Sequence, residues 1–231
     1  MKILALESSA KAASVALCEN SDLLLQYFQN SGHTHSRTLL KMAEDLLGNI
    51  GLKTCDLDVI AVASGPGSFT GIRIGVSAAI GLAWGAGKPV CGVSTLEAMA
   101  YHAEDPEYTI CPVMDARRGQ VYNALFQNKD GSVVRLTPDR AIAVSDLAEE
   151  AKSGARTYML LGDGAPLCLR AFNELGIPCR LAPPLLRLQS AWGVACASLN
   201  APKVSPDTLK PNYLRVSQAE RERNAKLIQT G

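Results

Sequence analysis

Apolar and polar positions change period repeatedly along the chain, and each change marks an element. Residues 2–7, KILALE, form a leucine-rich run ending on an acid, and residues 14–18 alternate well enough to be its hairpin partner. A third strand over 23–28 follows the turn Glu19-Asn20-Ser21-Asp22. Over 35–50 the period becomes helical. Leu39, Ala43, Leu46 and Ile50 make one apolar row, with Leu40 and Leu47 in a second beside it, a stripe wider than one sheet-facing helix requires. An apolar strand over 59–64 then enters the loop Ser64-Gly65-Pro66-Gly67-Ser68-Phe69-Thr70-Gly71. Beyond the next segment lie a strand over 89–93 and a helix over 94–102, capped by Ser94 or Thr95 with Glu97 in the capping-box place.

The segment after the loop has no polar face. From Ile72 to Gly87 its one ionisable residue is Arg73, so the helix predicted here, capped by Ser68 or Thr70, is to be buried on more than one side. Gly71, Gly75 and Ala79 recur every four residues, as do Ser77, Gly81 and Gly85. A glycine inside a helix costs about 1 kcal/mol relative to alanine, and close approach of other backbones would offset it. One row must face the home sheet; the other has to meet a second helix or a second protein chain. We therefore expect a partner surface on the two helices, drawn from Leu39, Leu40, Ala43, Leu47, Gly71, Arg73, Ile74, Gly75, Ser77, Ala78, Ala79 and Gly81. The loop itself reads two ways, as a tight structural turn or as an anion cradle at a helix start. It lacks both the Gly-Lys-Ser/Thr ending of a P-loop and the G-x-G-x-x-G spacing of a dinucleotide fold.

After residue 104 the pattern restarts. A strand over 109–115 again ends on an acid, Asp115, and strands follow over 120–127 and 132–136, separated by the turn Asn128-Lys129-Asp130-Gly131. Helices over 145–152, 166–175 and 189–199 alternate with strands over 158–161, ending Gly162-Asp163-Gly164, and over 179–181. Ala16-Leu17 stands at the same offset from Glu7 as Ala124-Leu125 does from Asp115. The order β-β-β-α-β-α-β-α thus occurs twice. It predicts an α/β protein of two tandem domains, 1–104 and 105–205, each a mixed five-stranded sheet whose last strands are parallel. The tail, 206–231, reads as an extended crossing packed back on the first domain, then a short solvated helix around 218–223.

Composition narrows the classes little. The formal charge of +1 provides no global basic field for nucleic acid and no acidic field against it. Seven cysteines are scattered without a Cys-x-x-Cys pair, which fits a reducing cytosol better than a disulfide framework or a zinc site. The N-terminal apolar run breaks at Glu7, too early for a signal peptide, and the segment after Arg73 falls short of the roughly 18 residues of a membrane span. A cytoplasmic protein with no membrane partner is expected.

Few residues propose chemistry by spacing alone. His33 and His35 precede a helix with no third ligand nearby, so packing competes with a metal site. His102 ends a helix, where a cation complements the dipole. Glu149-Glu150 reads as a solvated helix end, and no Ser-His-Asp or Cys-His arrangement emerges. Arg117 and Arg118 after Asp115 either hold an anion or RNA, or form a solvated turn.

Two such units, each with an acid ending its first strand, resemble the actin, sugar-kinase and Hsp70 (ASKHA) nucleotide-binding superfamily. Within it, SGPGSFTGIRIG (64–75), DARRGQVY (115–122), GVSTLE (92–97) and NYLRVSQAE (212–220) resemble the bacterial TsaB family, also called YeaZ, over the full length. The resemblance implies a role in forming N6-threonylcarbamoyladenosine in tRNA, at the adenosine following the anticodon. It implies a non-catalytic partner of a TsaD-type paralogue, with a TsaE-type ATPase as a third component, and a homodimer when the paralogue is absent. TsaD-type paralogues carry a metal-binding His-x-x-x-His pair after the strand equivalent to 89–93. Here those positions are Thr95 and Met99, which implies no metal and no catalytic residue. The phosphate hairpin, which should read Asp then Gly-Thr or Ser-Thr, reads Glu7-Ser8-Ser9-Ala10. The cofactor candidates the resemblance leaves are Glu7, Ser8, Ser9, Asp115, Arg117 and Arg118. They imply no cofactor bound by this chain on its own, with nucleotide held weakly or at an interface.

Rivals remain from other classes. Retained Glu7 and Asp115 keep open an ATP-dependent small-molecule kinase, and the superfamily also includes glycoprotease-like metallopeptidases. A stand-alone tRNA-binding module lacks a basic stripe or stacking aromatics in any one segment.

Overall fold

The alternation of the first three strands closes into a hairpin sheet that the later parallel strands extend. A computed structural model of the chain describes residues 1–32, 34–103 and 105–215. In the first unit, β1 (Lys2–Glu7), β2 (Ala13–Glu19), β3 (Asp22–Gln29), β4 (Val59–Gly65) and β5 (Val90–Ser94) lie in the order β3-β2-β1-β4-β5. β2 is antiparallel to both β1 and β3, whereas β4 is parallel to β1 and to β5. Helices α1 (His35–Ile50) and α2 (Phe69–Ala86) cover one face, joining Leu39, Ala43, Leu46, Ile72, Val76 and Ala79 to Leu4, Leu6, Ile60 and Val62 of the sheet.

The second unit is larger than the expected five strands. β6 (Thr109–Arg117), β7 (Gln120–Asn123), β8 (Phe126–Lys129), β9 (Ser132–Arg135), β10 (Arg140–Ala143), β11 (Tyr158–Leu161) and β12 (Cys179–Leu181) form a seven-stranded sheet. Its path is β10-β7-β6-β11-β12, with β8 and β9 attached to β6 off that path. The run expected as one strand over 120–127 is two. β7 pairs with the C-terminal half of β6 and β8 with its start, Thr109 and Ile110. The change falls beside Pro112, which has no N–H for a ladder; its carbonyl instead accepts a bond from the buried Asn123 side chain, 3.1 Å away. Helices α4 (Val144–Ser153) and α5 (Ala165–Glu174) cover one face of this sheet through Leu147, Cys168 and Phe172.

The remaining faces are covered by exchange. α3 (Thr95–Ala100), from the first repeat, places Leu96, Met99 and Ala100 against Ile110, Met114, Phe126 and Leu161 of the second sheet. After the short α6 (Pro184–Arg187), α7 (Ala191–Ser198) returns to the first sheet, packing Ala191, Val194, Ala195 and Ala197 on Ile3, Ala5, Ala61 and Cys91. The sequence reading puts this helix in the domain 105–205; its packing puts it with the first. AWGVACAS carries no Asp, Glu, Lys, Arg or His, so it needs apolar contact all round.

The described part of the tail runs along the first unit. Val204 forms a bridge with Val90, Leu209 joins the first core, and the Asn212 N–H donates to the Ser64 carbonyl at 2.7 Å. The short helix expected around 218–223 lies outside the described residues. α2 itself counts 18 residues, two more than the stretch from Ile72 to Gly87, and enough by length and composition to cross a bilayer. One of its faces is nevertheless packed on the protein's own sheet.

Candidate functional site

The first strand of each unit ends at a common cleft. β1 ends on Glu7, whose side chain is fully buried and whose Oε1 accepts the Ser9 N–H at 2.6 Å. Among the described residues its Oε2 has no partner, and burial pushes its pKa up to about 7, against the lowering bonds from Ser9. Ser8 points the other way and donates its hydroxyl to the Gly71 carbonyl at 2.9 Å. This contact needs a helix without side chains: a Cβ at Gly71 would strike the Ser8 carbonyl oxygen, and one at Gly75 would lie 2.5 Å from Ser8 Oγ.

The loop between β4 and α2 is held by the same hairpin. The Ser68 N–H donates to the Ser9 carbonyl at 2.7 Å, and Ser68 Oγ caps α2 by accepting the Gly71 N–H at 3.3 Å. Two of the loop's backbone donors, the Ser68 and Gly71 N–H groups, are thus engaged within the protein. Ser9 Oγ, fully buried, has no partner among the described residues, and Ser9 lines the cleft.

Across the cleft, Asp115 lies two residues before the end of β6. Its Oδ1 accepts the Arg117 N–H at 2.7 Å and its Oδ2 pairs with the Arg117 guanidinium at 3.2 Å, while Arg117, Arg118 and Gly119 all take left-handed backbone. Asp163, just after β11, accepts the Asp115 N–H at 3.2 Å; burial raises its pKa, helped by the neighbouring Asp115 carboxylate. Asp163 is absent from the sequence-derived set, although Gly162-Asp163-Gly164 at a strand end marks the place. The tail supplies the third wall. Tyr213 stacks on Phe69 with ring centroids 4.7 Å apart, Arg73 Nε donates to Tyr213 Oη at 2.9 Å, and Arg215 reaches the Ala116 carbonyl at 2.7 Å.

The cleft encloses about 350 Å³. Of the sequence candidates, Ser9, Asp115 and Arg117 line it; Glu7 and Ser8 sit behind Ser9, and Arg118 is exposed away from the lining. Thr95 and Met99 are both buried, Met99 within the second core, and no group of three or more His, Cys, Asp or Glu side chains gathers among the described residues. His35 contacts the Ala10 carbonyl through Nε2 at 2.6 Å; His33 lies outside the described residues. His102 is buried against Trp192, contacting the Leu186 carbonyl at 3.1 Å and Ser190 Oγ at 2.9 Å, and burial lowers its pKa to about 4.

The expected partner surface divides in two. Leu39, Ala43, Leu47, Gly71, Gly75 and Ala79 belong to the chain's own interior, because α1 and α2 turn these rows onto β1, β4 and the Ser8 hairpin. Leu40, half exposed, together with Arg73, Ser77 and Gly81, faces outward, with Ile74 and Ala78 partly buried at the margin. Of the two small-residue rows, only Ser77-Gly81-Gly85 is available to another chain.

Known proteins agree with this architecture. Residues 29–169 match the family described as "TsaD: tRNA N6-adenosine threonylcarbamoyltransferase". The tRNA threonylcarbamoyladenosine biosynthesis protein TsaB of Bacillus subtilis is 32% identical over 95% of this chain and 96% of its own. Its Escherichia coli counterpart is 31% identical over 93% and 95%. The solved structure of YeaZ from Pseudomonas aeruginosa superposes with a TM-score of 0.77 at 28% identity, covering 92% of this chain and 99% of that one. With the tandem fold and full-length similarity together, this chain belongs to the TsaB (YeaZ) family of tRNA threonylcarbamoyladenosine biosynthesis proteins.

Proposed function

We propose that this chain is the non-catalytic subunit of a cytoplasmic assembly that forms N6-threonylcarbamoyladenosine on tRNA, docking to a TsaD-type paralogue that acts with a TsaE-type ATPase. The observation that carries the reading is the pair Thr95 and Met99. Where the paralogue has imidazoles, Met99 here packs against Leu96 and Met114 in an apolar core. A thioether in such a core is a poor ligand for a hard or borderline ion. The cleft supports the same reading. A polyphosphate needs free N–H donors, and here the Ser9 N–H serves Glu7 and the Ser68 N–H serves Ser9. On this reading those two donors are withdrawn from a phosphate, and any nucleotide is held weakly or at an interface. Docking uses the outward face of α2, Ser77, Ala78 and Gly81, with Leu40 of α1 beside it, and the same face serves a homodimer when the paralogue is absent.

Nucleoside mass spectrometry after depletion tests the role: the modified adenosine should vanish and return on re-expression of this chain. Unchanged modification removes the assignment. The rival kinase reading is tested by calorimetry with ATP and magnesium, where tight binding with turnover would establish it.

A further inference from the structure

One charge stands on the outward row of α2, and the chain holds it in a fixed place. Arg73 is exposed and lies four residues before Ser77, at the head of the row Ser77, Gly81 and Gly85. From Ile72 to Gly87 no other residue is ionisable. Its guanidinium carbon is 3.9 Å from the centroid of the Phe69 ring, one turn back, and 5.8 Å from that of Tyr213. Nε donates to Tyr213 Oη at 2.9 Å, which leaves Nη1 and Nη2 without a partner among the described residues. The tail that supplies Tyr213 is itself anchored on both sides. The Asn212 N–H donates to the Ser64 carbonyl at 2.7 Å, Arg215 reaches the Ala116 carbonyl of the second unit at 2.7 Å, and a Cβ at Gly65 would strike the Asn212 carbonyl oxygen.

No anion of the described chain answers this charge. α2 begins at Phe69, so Arg73 stands near the positively polarised end of the helix, where a cation is disfavoured. The rings beside it stabilise a cation without neutralising it. Among the described residues no carboxylate pairs with it, whereas Arg117, Arg135, Arg140 and Arg180 each have one. A chain docked on Ser77 and Gly81 would take this group out of water too. A guanidinium desolvated without a counter-ion opposes association. A carboxylate is the counterpart that fits, because the two free Nη groups present a planar fork that it meets with parallel bonds. A neutral amide or carbonyl would satisfy the donors and leave the charge unmatched.

We propose that the paralogue docked on α2 places an aspartate or glutamate against Arg73, and that Tyr213 holds the guanidinium ready for it. The inference rests on the docking reading above and adds the chemistry of the partner at one point. Tyr213 is then a positioning residue, acting on the partner through Arg73.

The test is the affinity of the full chain for the TsaD-type paralogue, both freed of nucleic acid by nuclease. Arg73→Gln should weaken the complex roughly 10- to 150-fold, the range for losing hydrogen bonds to a charged group. Arg73→Lys, which retains the charge without the fork, should fall between the parent and Arg73→Gln. Arg73→Glu, which sets like charges together, should fall below both. Tyr213→Phe should weaken the parent complex roughly 2- to 12-fold, the loss of one neutral hydrogen bond. In the Arg73→Gln background it should change nothing, a coupling that a merely structural role would not produce. Circular dichroism and urea unfolding confirm that each variant is folded. The carboxylate is overturned if Arg73→Glu binds as tightly as Arg73→Gln, or if Arg73→Gln weakens binding only when RNA is restored, which would make the counter-ion a phosphate. Equal losses from Tyr213→Phe in the two backgrounds would overturn its positioning role. The docking reading fails on a different variant: Gly81→Leu binding as tightly as the parent moves the surface off α2, whatever Arg73 does.

Discussion

Ser68 donates its backbone N–H to the carbonyl of Ser9 across 2.7 Å, stitching the loop that opens α2 to the hairpin that ends β1. The hairpin that the resemblance assigns to phosphate contact and the loop that reads as either a turn or an anion cradle thus spend two of their polar groups on each other. What remains is a rigid corner on which α2 is mounted, its inner glycine row against Ser8 and its outer row in solvent.

The two rows should respond oppositely to the same change. Gly75→Leu places a side chain where even a Cβ lies 2.5 Å from Ser8 Oγ, so it should cost the monomer at least the ~1–3 kcal/mol typical of overpacking. Gly81→Leu meets open space and removes a helix-interior glycine, so the monomer should gain up to about 1 kcal/mol. Urea unfolding measures both. Partner affinity should fall for folded Gly81→Leu; unchanged affinity would move the docking surface off α2.

Glu7 and His102 make opposite demands on pH. Glu7 has its pKa raised from 4.5 to about 7, so its folded form holds the proton longer and its contribution, full below pH 4.5, is lost as pH rises to 7. His102 has its pKa lowered from 6.5 to about 4, so its contribution is full above pH 6.5 and is lost as pH falls to 4. Where the windows overlap, between pH 4.5 and 6.5, the slopes oppose each other and the parent's stability from these two groups should be nearly flat. Glu7→Gln should uncover the histidine, with stability rising by on the order of 3 kcal/mol from pH 4 to 6.5. His102→Gln should uncover the acid and fall from pH 4.5 to 7. Denaturant midpoints across pH decide it; parallel profiles in all three proteins would refute the assignment.

The tail's hold on α2 can be separated into ring and hydroxyl. Tyr213→Ala removes the stack on Phe69 and should cost roughly 0.5–1.5 kcal/mol. Tyr213→Phe retains the ring and loses only the bond from Arg73 Nε, so it should retain most of that stability. Equal losses in the two variants would place the effect in the hydroxyl.

Local periodicity made the elements legible and left their destinations obscure. The helix over 35–50 and the strands over 158–161 and 179–181 stand where apolar spacing predicts them. The break between β7 and β8 does not show in its own run, because its cause is Pro112 on the neighbouring strand. β10 is four residues after Pro138-Asp139, too short for alternation to register. At the site, Glu7 and Asp115 stand out because an acid ends each apolar strand, whereas Asp163 sits in a Gly-Asp-Gly turn that reads as punctuation. The glycine rows were visible, but which one faces inward depends on Ser8, more than sixty residues away along the chain.

The exchange of α3 and α7 bears on how the chain is made. A ribosome delivers β1 to β5 first, yet the back face of that sheet, with Ile3, Ala5, Ala61 and Cys91, waits for a helix near residue 191. Until then the nascent sheet carries an apolar surface that attracts any passing chain or chaperone. Cutting between the repeats would leave the first fragment with its back face uncovered and the second without Leu96 and Met99 over its sheet. The duplicated halves, alike in plan, have become mutually dependent for closure, and neither is a unit that selection could shed or transplant on its own.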